Sequence, residues 1–133
     1  MTAQSVPYVV HDPDGRISHW GRAAADDVPL QAGPGQTALV GRGDDVVDWV
    51  NPASGLIEQR PVVPLPAAVS IAIAAEWEIG IVPTGTEVVI DGSTVAVTEG
   101  DALTLQFAVG ATYRVELRPP FPWRGSSAVV TVT

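Results

Sequence analysis

Cysteine is absent from the 133-residue chain, and this absence excludes disulfides, thiolate metal sites and cysteine nucleophiles. Lysine is absent as well, so all seven basic residues are arginine, against fifteen acidic residues and a formal net charge of -8. Because an acidic surface without a basic cluster repels phosphate groups, we expect neither nucleic acid nor an anionic membrane as a partner.

Long apolar runs are also missing. The longest, residues 67–75 with Ser70 as its one polar residue, is far shorter than the roughly 20 residues that a membrane-spanning helix needs. The N-terminus has no basic region followed by an apolar stretch, so no secretion signal is predicted. What is present is the composition of a globular protein, 46% apolar and 17% charged, with a length that suits one ordinary domain or two very small ones.

Turn-forming residues interrupt the first sixty residues every few positions, which predicts a small β-meander. Residues 12–15, Asp-Pro-Asp-Gly, are a strong turn signal, and residues 8–20 around them read as a β-hairpin. A helix is expected only over residues 23–30, where Pro29 limits it to about one turn. Further short strands are predicted over residues 36–40, 46–50 and 56–60.

The second half of the chain has a different pattern. The proline-rich residues 61–66 are predicted to form a stiff, extended linker. Beyond them, apolar and polar residues alternate in six or seven short segments spaced 8–12 residues apart, which is typical of a β-sandwich. We therefore predict an all-β protein, with an N-terminal β-meander over residues 1–62 followed by an Ig-like β-sandwich over residues 67–133.

Two histidines, His11 and His19, flank the first turn. Together with Asp12 or Asp14 they could bind zinc or another transition metal. Two surface histidines beside a turn are the more ordinary interpretation, and turn chemistry accounts for the aspartates. We predict neither a metal nor a cofactor.

Acidic pairs raise the question of glycosidase chemistry, which needs two carboxyl groups across a cleft, one of them with a raised pKa. Units this small leave little room for a deep catalytic pocket, and no familiar catalytic or nucleotide-binding motif occurs in the sequence. We therefore predict that the protein is not an enzyme. The acidic pairs are Asp26/Asp27, Asp44/Asp45 and Glu76/Glu78.

Residues 119–125, Pro-Pro-Phe-Pro-Trp-Arg-Gly, are predicted to be a loop because three prolines exclude a central strand. Phe121, Trp123 and Arg124 are residue types that dominate binding hot spots, so the loop could contact another protein or a glycan. Alternatively, its rings cap the open end of the sandwich core. Trp77, which Glu76 and Glu78 are expected to flank on the same strand face, is a further candidate for contact with a sugar. Core anchors are expected at Trp20 and Trp49 in the first unit and at Trp77 in the second.

Four segments of the first half, residues 8–17 (YVVHDPDGRI), 30–35 (LQAGPG), 48–55 (DWVNPASG) and 60–61 (RP), follow one another in a familiar order. This layout resembles the N-terminal segment of small tail-associated or tail-fibre-like proteins of double-stranded DNA bacteriophages. Residues 83–88 and 110–115 are similar to turn and strand motifs of Ig-like phage appendages. The chain departs from the pattern at Trp49, where tyrosine is usual, and in the aromatic loop described above.

The resemblance implies a non-enzymatic virion structural protein, made in the host cytoplasm and located in the phage particle at its tail. The first unit would attach it to other virion proteins, and the Ig-like module would project, with several copies following the symmetry of the attachment site. A head decoration protein and an assembly factor remain alternatives. So does a carbohydrate- or host-surface-binding module that uses Trp77, Phe121, Trp123 and Arg124.

Overall fold

A computed structural model describes residues 4–133 and divides the chain into two compact units, the first ending at Arg60 and the second running from Pro61 to Thr133. Within the described residues there are twelve strands and one short 3₁₀ helix, which confirms the all-β prediction. No helix in this part of the chain has the length and apolar character needed to span a membrane.

The first unit contains β1 (Ser5–His11), β2 (Ile17–Ala24), the 3₁₀ helix (Ala25–Gln31), β3 (Thr37–Val40), β4 (Asp48–Asn51) and β5 (Leu56–Gln59). The second contains β6 (Ala68–Ile71), β7 (Glu76–Ile81), β8 (Glu87–Ile90), β9 (Ser93–Val97), β10 (Ala102–Gln106), β11 (Ala111–Arg118) and β12 (Ser126–Val132).

Strand β1 is the centre of the first unit, between β2 and β3 in an antiparallel three-stranded sheet. Its neighbouring residues Val9 and Val10 are both fully buried, although they point to opposite faces. Val10 packs with Val28 of the 3₁₀ helix, and Val9 packs with Ile17 and with Val50 of the β4–β5 hairpin. Because both faces are covered, β1 is a continuous apolar run rather than an alternating one.

The predicted hairpin over residues 8–20 is present, and its turn depends on two residues. Asp12 accepts hydrogen bonds at Oδ1 from the backbone N–H groups of Asp14 and Arg16, each 3.0 Å long. Gly15 has a positive φ of 92°, and a β-carbon at this position would overlap the carbonyl oxygen of Val50. The Val50 N–H donates to the Gly15 carbonyl at 2.9 Å, so this turn is also the docking point of β4.

Strand β4 begins at Asp48 rather than at residue 46, where it was predicted to begin. Asp44 Oδ1 accepts the backbone N–H groups of Val46 and Val47, at 2.9 and 3.0 Å. These bonds keep the backbone in a turn, and a local side-chain acceptor therefore overrides the strand preference of two valines.

The second unit is a sandwich of a five-stranded sheet and a two-stranded sheet. The order in the larger sheet is β6-β12-β11-β8-β9, with β6 parallel to β12 and all other neighbours antiparallel, and the smaller sheet pairs β7 with β10. Ile79 of β7 and Leu105 of β10 pack against the buried residues of the larger sheet. We call the two core clusters the Leu117 cluster (Val63, Val82, Val88 and Leu117) and the Val115 cluster (Phe107, Val115, Val130 and Val132).

The segment predicted as a linker, residues 61–66, belongs in part to the sandwich. The Pro61 carbonyl accepts the N–H of Arg124 at 2.7 Å, Val62 forms a parallel bridge with Arg124, and Val63 is buried in the Leu117 cluster. Prolines favour an extended backbone, and an extended segment can lie beside a sheet as readily as it can span solvent. The second unit therefore begins at Pro61 instead of at residue 67.

Candidate functional site

The loop over residues 119–125 lies between β11 and β12, as predicted, but its aromatic residues are not free in solvent. Trp123 is partly buried and packs against the Leu117 cluster. Phe121 and Arg124 are also partly buried, and the Arg124 backbone is fixed by its bridge to the segment beside it. Of the two alternatives for this loop, the packing of Trp123 favours the one in which it covers the end of the core.

Trp77 has a similar role in the second unit. It is partly buried and packs against the Val115 cluster, whereas its neighbours Glu76 and Glu78 are exposed. Successive side chains of a strand point to opposite faces, so the ring and the two carboxylates do not share a surface. The expectation that they form a joint sugar-binding face is wrong. Trp77 and Trp123 also belong to different core clusters.

Trp20 was predicted to be a core anchor of the first unit, and this prediction is wrong because half of its surface is exposed. A β-bulge in β2 determines the face of the sheet on which this ring lies. His11 pairs with Ile17 and Val9 pairs with Trp20, so Ser18 is an extra residue between the two pairs. Cross-strand partners share a face, and the bulge therefore places Trp20 on the same face as Ile17, three residues earlier.

A cleft of about 430 Å³ lies beside Trp20, entirely within the first unit. Its lining includes Trp20, Arg22, Arg42, Asp44 and Asp48. Strand β2 contributes the tryptophan and the first arginine, which are two residues apart and so share a face. The connection from β3 to β4 contributes Arg42 and Asp44, and Asp48 is the first residue of β4. The cleft thus combines a half-exposed indole with two positive and two negative side chains.

Hydrogen bonds fix the lining of this cleft. The Asp48 N–H donates to the Asp44 carbonyl at 3.0 Å, and the Asp44 N–H donates back to Asp48 Oδ2 at 3.1 Å, which closes the turn. The Gly41 N–H donates to a β1 carbonyl at 2.9 Å. The Arg22 guanidinium donates to the hydroxyl and the carbonyl of Ser5, at 3.1 and 2.9 Å. The Arg22 side chain and the backbone of the turn from Asp44 to Asp48 are therefore held in place before any ligand arrives.

The two histidines make local contacts. His11 Nδ1 donates to the Asp12 carbonyl at 2.8 Å, and the His19 ring lies edge-on to Tyr8, with ring centroids 6.1 Å apart. In residues 4–133, no three His, Cys, Asp or Glu side chains come together in a way that could hold a metal ion.

Glu58 of β5 has a lowered pKa. The main cause is a hydrogen bond of 2.6 Å from the Ser54 hydroxyl, and a second bond of 3.2 Å from the Asn51 amide adds to it. Both donors favour the charged carboxylate. Since Asn51 is the last residue of β4 and Ser54 lies in the turn between β4 and β5, the ionised Glu58 stabilises that hairpin.

The chain matches no protein-family model, no curated protein and no solved structure. Function is therefore inferred from the chemistry of the two units and from the resemblance of the turn motifs in residues 8–61.

Proposed function

We propose that the protein is a non-enzymatic structural component of a double-stranded DNA bacteriophage particle, associated with its tail. In this proposal the first unit attaches the protein to neighbouring virion proteins, and the second unit projects as an Ig-like module. Two lines of support combine here: the resemblance of the turn motifs in residues 8–61, and the topology of the second unit. The motif resemblance carries the proposal, and the topology of the second unit agrees with the Ig-like module that the resemblance implies.

The strand order supports an Ig-like assignment of the second unit. In Ig domains the C, F and G strands form one sheet, which a C′ strand can extend, while B and E lie in the opposite sheet. Here β8, β11 and β12 occupy the positions of C, F and G, and β9 occupies that of C′. The β7–β10 pair corresponds to B and E.

A tyrosine near the start of β11 gives independent support. Tyr113 Oη donates to the carbonyl of Val109, four residues earlier, at 2.7 Å. A tyrosine that bonds back in this way at the start of strand F is the tyrosine corner of Ig-like domains. Two residues later, where antibody domains have a cysteine, lies Val115, which is fully buried and packs with Trp77.

The attachment role of the first unit is supported by the small size of its core. Among the described residues, six apolar side chains are buried in the first unit, against ten in the second. A unit of about sixty residues buries a small fraction of its chain surface, so contact with a partner would add to its stability. Its exposed apolar side chains outside the cleft are available for such contact: Leu30, Val40, Val46 and Leu56.

Immunogold labelling of purified particles, with an antibody raised against the full chain, tests the proposal. We expect gold at the tail. Gold over the capsid would instead make the protein a head decoration protein. Unlabelled particles, combined with a strong signal in infected lysate, would overturn the structural role and favour an assembly factor.

The alternative in which Phe121, Trp123, Arg124 and Trp77 together bind a glycan has less support. Trp77 and Trp123 are both partly buried and pack against different core clusters, so the two rings do not form one exposed stacking surface.

A further inference from the structure

We propose that the cleft in the first unit binds a neutral saccharide, with the indole ring of Trp20 as its stacking platform. This inference goes beyond the structural role proposed above and does not depend on it, because it concerns only residues of the first unit. It also differs in location from the aromatic loop, residues 119–125, which the sequence had suggested for glycan contact.

The position of Trp20 is the first argument. Val9 and Ile17 lie on the same face of the sheet and are buried beneath the β4–β5 hairpin, whereas Trp20 is 50% exposed. Trp20 therefore lies just outside the part of that face which the β4–β5 hairpin covers. A large aromatic surface left in water gains free energy when a ligand covers it, and the C–H face of a sugar ring is a suitable cover for an indole.

The charges around the ring are the second argument. Arg22 and Arg42 supply hydrogen-bond donors, Asp44 and Asp48 supply acceptors, and the four formal charges cancel. Because the attraction and repulsion from these four groups offset each other, neither an anionic nor a cationic ligand is favoured by its net charge. A neutral ligand rich in hydroxyl groups can use both kinds of partner, since each hydroxyl donates one hydrogen bond and accepts others.

The size and stiffness of the cleft are the third argument. Its volume of about 430 Å³ lies within the range of roughly 300–1,000 Å³ that is usual for small-molecule sites. A β-carbon on Gly43 would lie only 3.2–3.3 Å from the side chains of Ile57, Ile17 and Val9, so the backbone on this side of the cleft rests on the core. A short saccharide would therefore bind without first ordering the loop.

The test uses the full chain on an array of neutral oligosaccharides, with the best hit then measured by titration calorimetry. We expect Trp20→Ala to weaken binding of that hit by about tenfold or more, and Arg42→Gln to weaken it by a smaller factor. Trp20→Phe should retain most of the affinity because it keeps an aromatic platform. The matched control is Leu56→Ala, which removes an exposed apolar side chain of the same unit outside the cleft and should leave binding unchanged.

Circular dichroism of each variant establishes that it is folded. The proposal is overturned if the wild-type chain binds no neutral oligosaccharide, or if folded Trp20→Ala binds as well as the wild type. Binding to acidic sugars alone would contradict the proposal that the ligand is a neutral saccharide. A loss caused by Trp123→Ala, with Trp20→Ala still binding normally, would move the site to the aromatic loop and also overturn the proposal.

Discussion

Trp20 of the first unit and the two tryptophans of the second unit have opposite surroundings. In the second unit Trp77 and Trp123 pack against the Val115 and Leu117 clusters, while in the first unit Trp20 is half exposed beside a cleft. A sandwich of two sheets encloses one continuous space between them, and large rings are suited to fill it. A three-stranded sheet covered on one face by only a short hairpin leaves part of that face open, where a ring can meet a ligand.

The two units also differ in how their buried side chains are arranged. The first unit divides its buried side chains between the two faces of one small sheet, so that Val9 and Val10 serve separate clusters. The second unit gathers its buried side chains between two sheets. We therefore expect the stability of the first unit to depend mainly on the few contacts through which one element docks on another. The stability of the second unit should depend mainly on the volume of its core side chains.

Gly15→Ala should have the largest effect, a loss of about 3–5 kcal/mol in the stability of the first unit. The new methyl group would overlap the Val50 carbonyl, and the positive φ adds strain. Gly35→Ala is the matched control, because Gly35 also has a positive φ but has no atom within 4 Å of the added carbon, and it should cost about 1–2 kcal/mol. Urea unfolding followed by amide NMR signals of each unit measures both. Equal losses would show that β4 does not dock on this turn.

Trp123→Ala should cost about 2–3 kcal/mol, because it removes a partly buried ring from the Leu117 cluster. Trp20→Ala should cost no more than about 1 kcal/mol, since half of that ring is already in water. Thermal unfolding of the two variants compares them directly. If Trp20→Ala lost more stability than Trp123→Ala, the contrast between the two units would be wrong.

Tyr113→Phe should cost about 1 kcal/mol through the lost hydrogen bond to Val109, while the ring keeps its contact with Phe107. Tyr8→Phe is the control in the first unit, because no hydrogen bond of the Tyr8 hydroxyl is found within residues 4–133. Its melting temperature should match that of the wild type. If the two variants were equally stable, the bond would not contribute to the Ig-like corner.

The smallest effect concerns pH. The pKa of Glu58 is lowered in the folded chain, so its stabilising contribution is present above the unfolded-state pKa and is lost as the pH falls through the folded-state value. Ser54→Ala removes the stronger donor and should raise the Glu58 pKa towards its ordinary value, which an NMR titration of the side-chain carboxyl carbon measures. Ser127→Ala, in the other unit, should leave it unchanged. A Glu58 pKa that does not respond to Ser54→Ala would contradict the assignment.

The turns were predictable because their residues determine the backbone locally. Asp12 and Gly15 define the first hairpin, and Asp91 and Gly92, both with positive φ, form the two-residue turn between β8 and β9, for which an Asp-Gly pair is a strong signal. The alternation in the second half likewise indicated a sandwich, since residues on one face of each strand must be buried.

The functional cleft was not predictable in the same way, because its position depends on pairing rather than on local pattern. The bulge at Ser18 changes the face on which Trp20 lies, and nothing in residues 16–20 alone reveals the register against β1. The polar neighbours His19 and Arg22 were the available signal that this tryptophan is near solvent. For Trp77 the alternation itself was sufficient to place the flanking glutamates on the opposite face.

The most direct test of the contrast between the units is the solvent accessibility of each tryptophan in the intact chain. Indole N–H signals of the four tryptophans, assigned by substitution, are recorded while a neutral water-soluble paramagnetic agent is added. We predict that the Trp20 signal broadens at the lowest concentration and that the Trp77 and Trp123 signals persist longest. If Trp20 were protected and Trp123 broadened first, the exposed aromatic platform would lie in the loop over residues 119–125, and the contrast between the two units would be wrong.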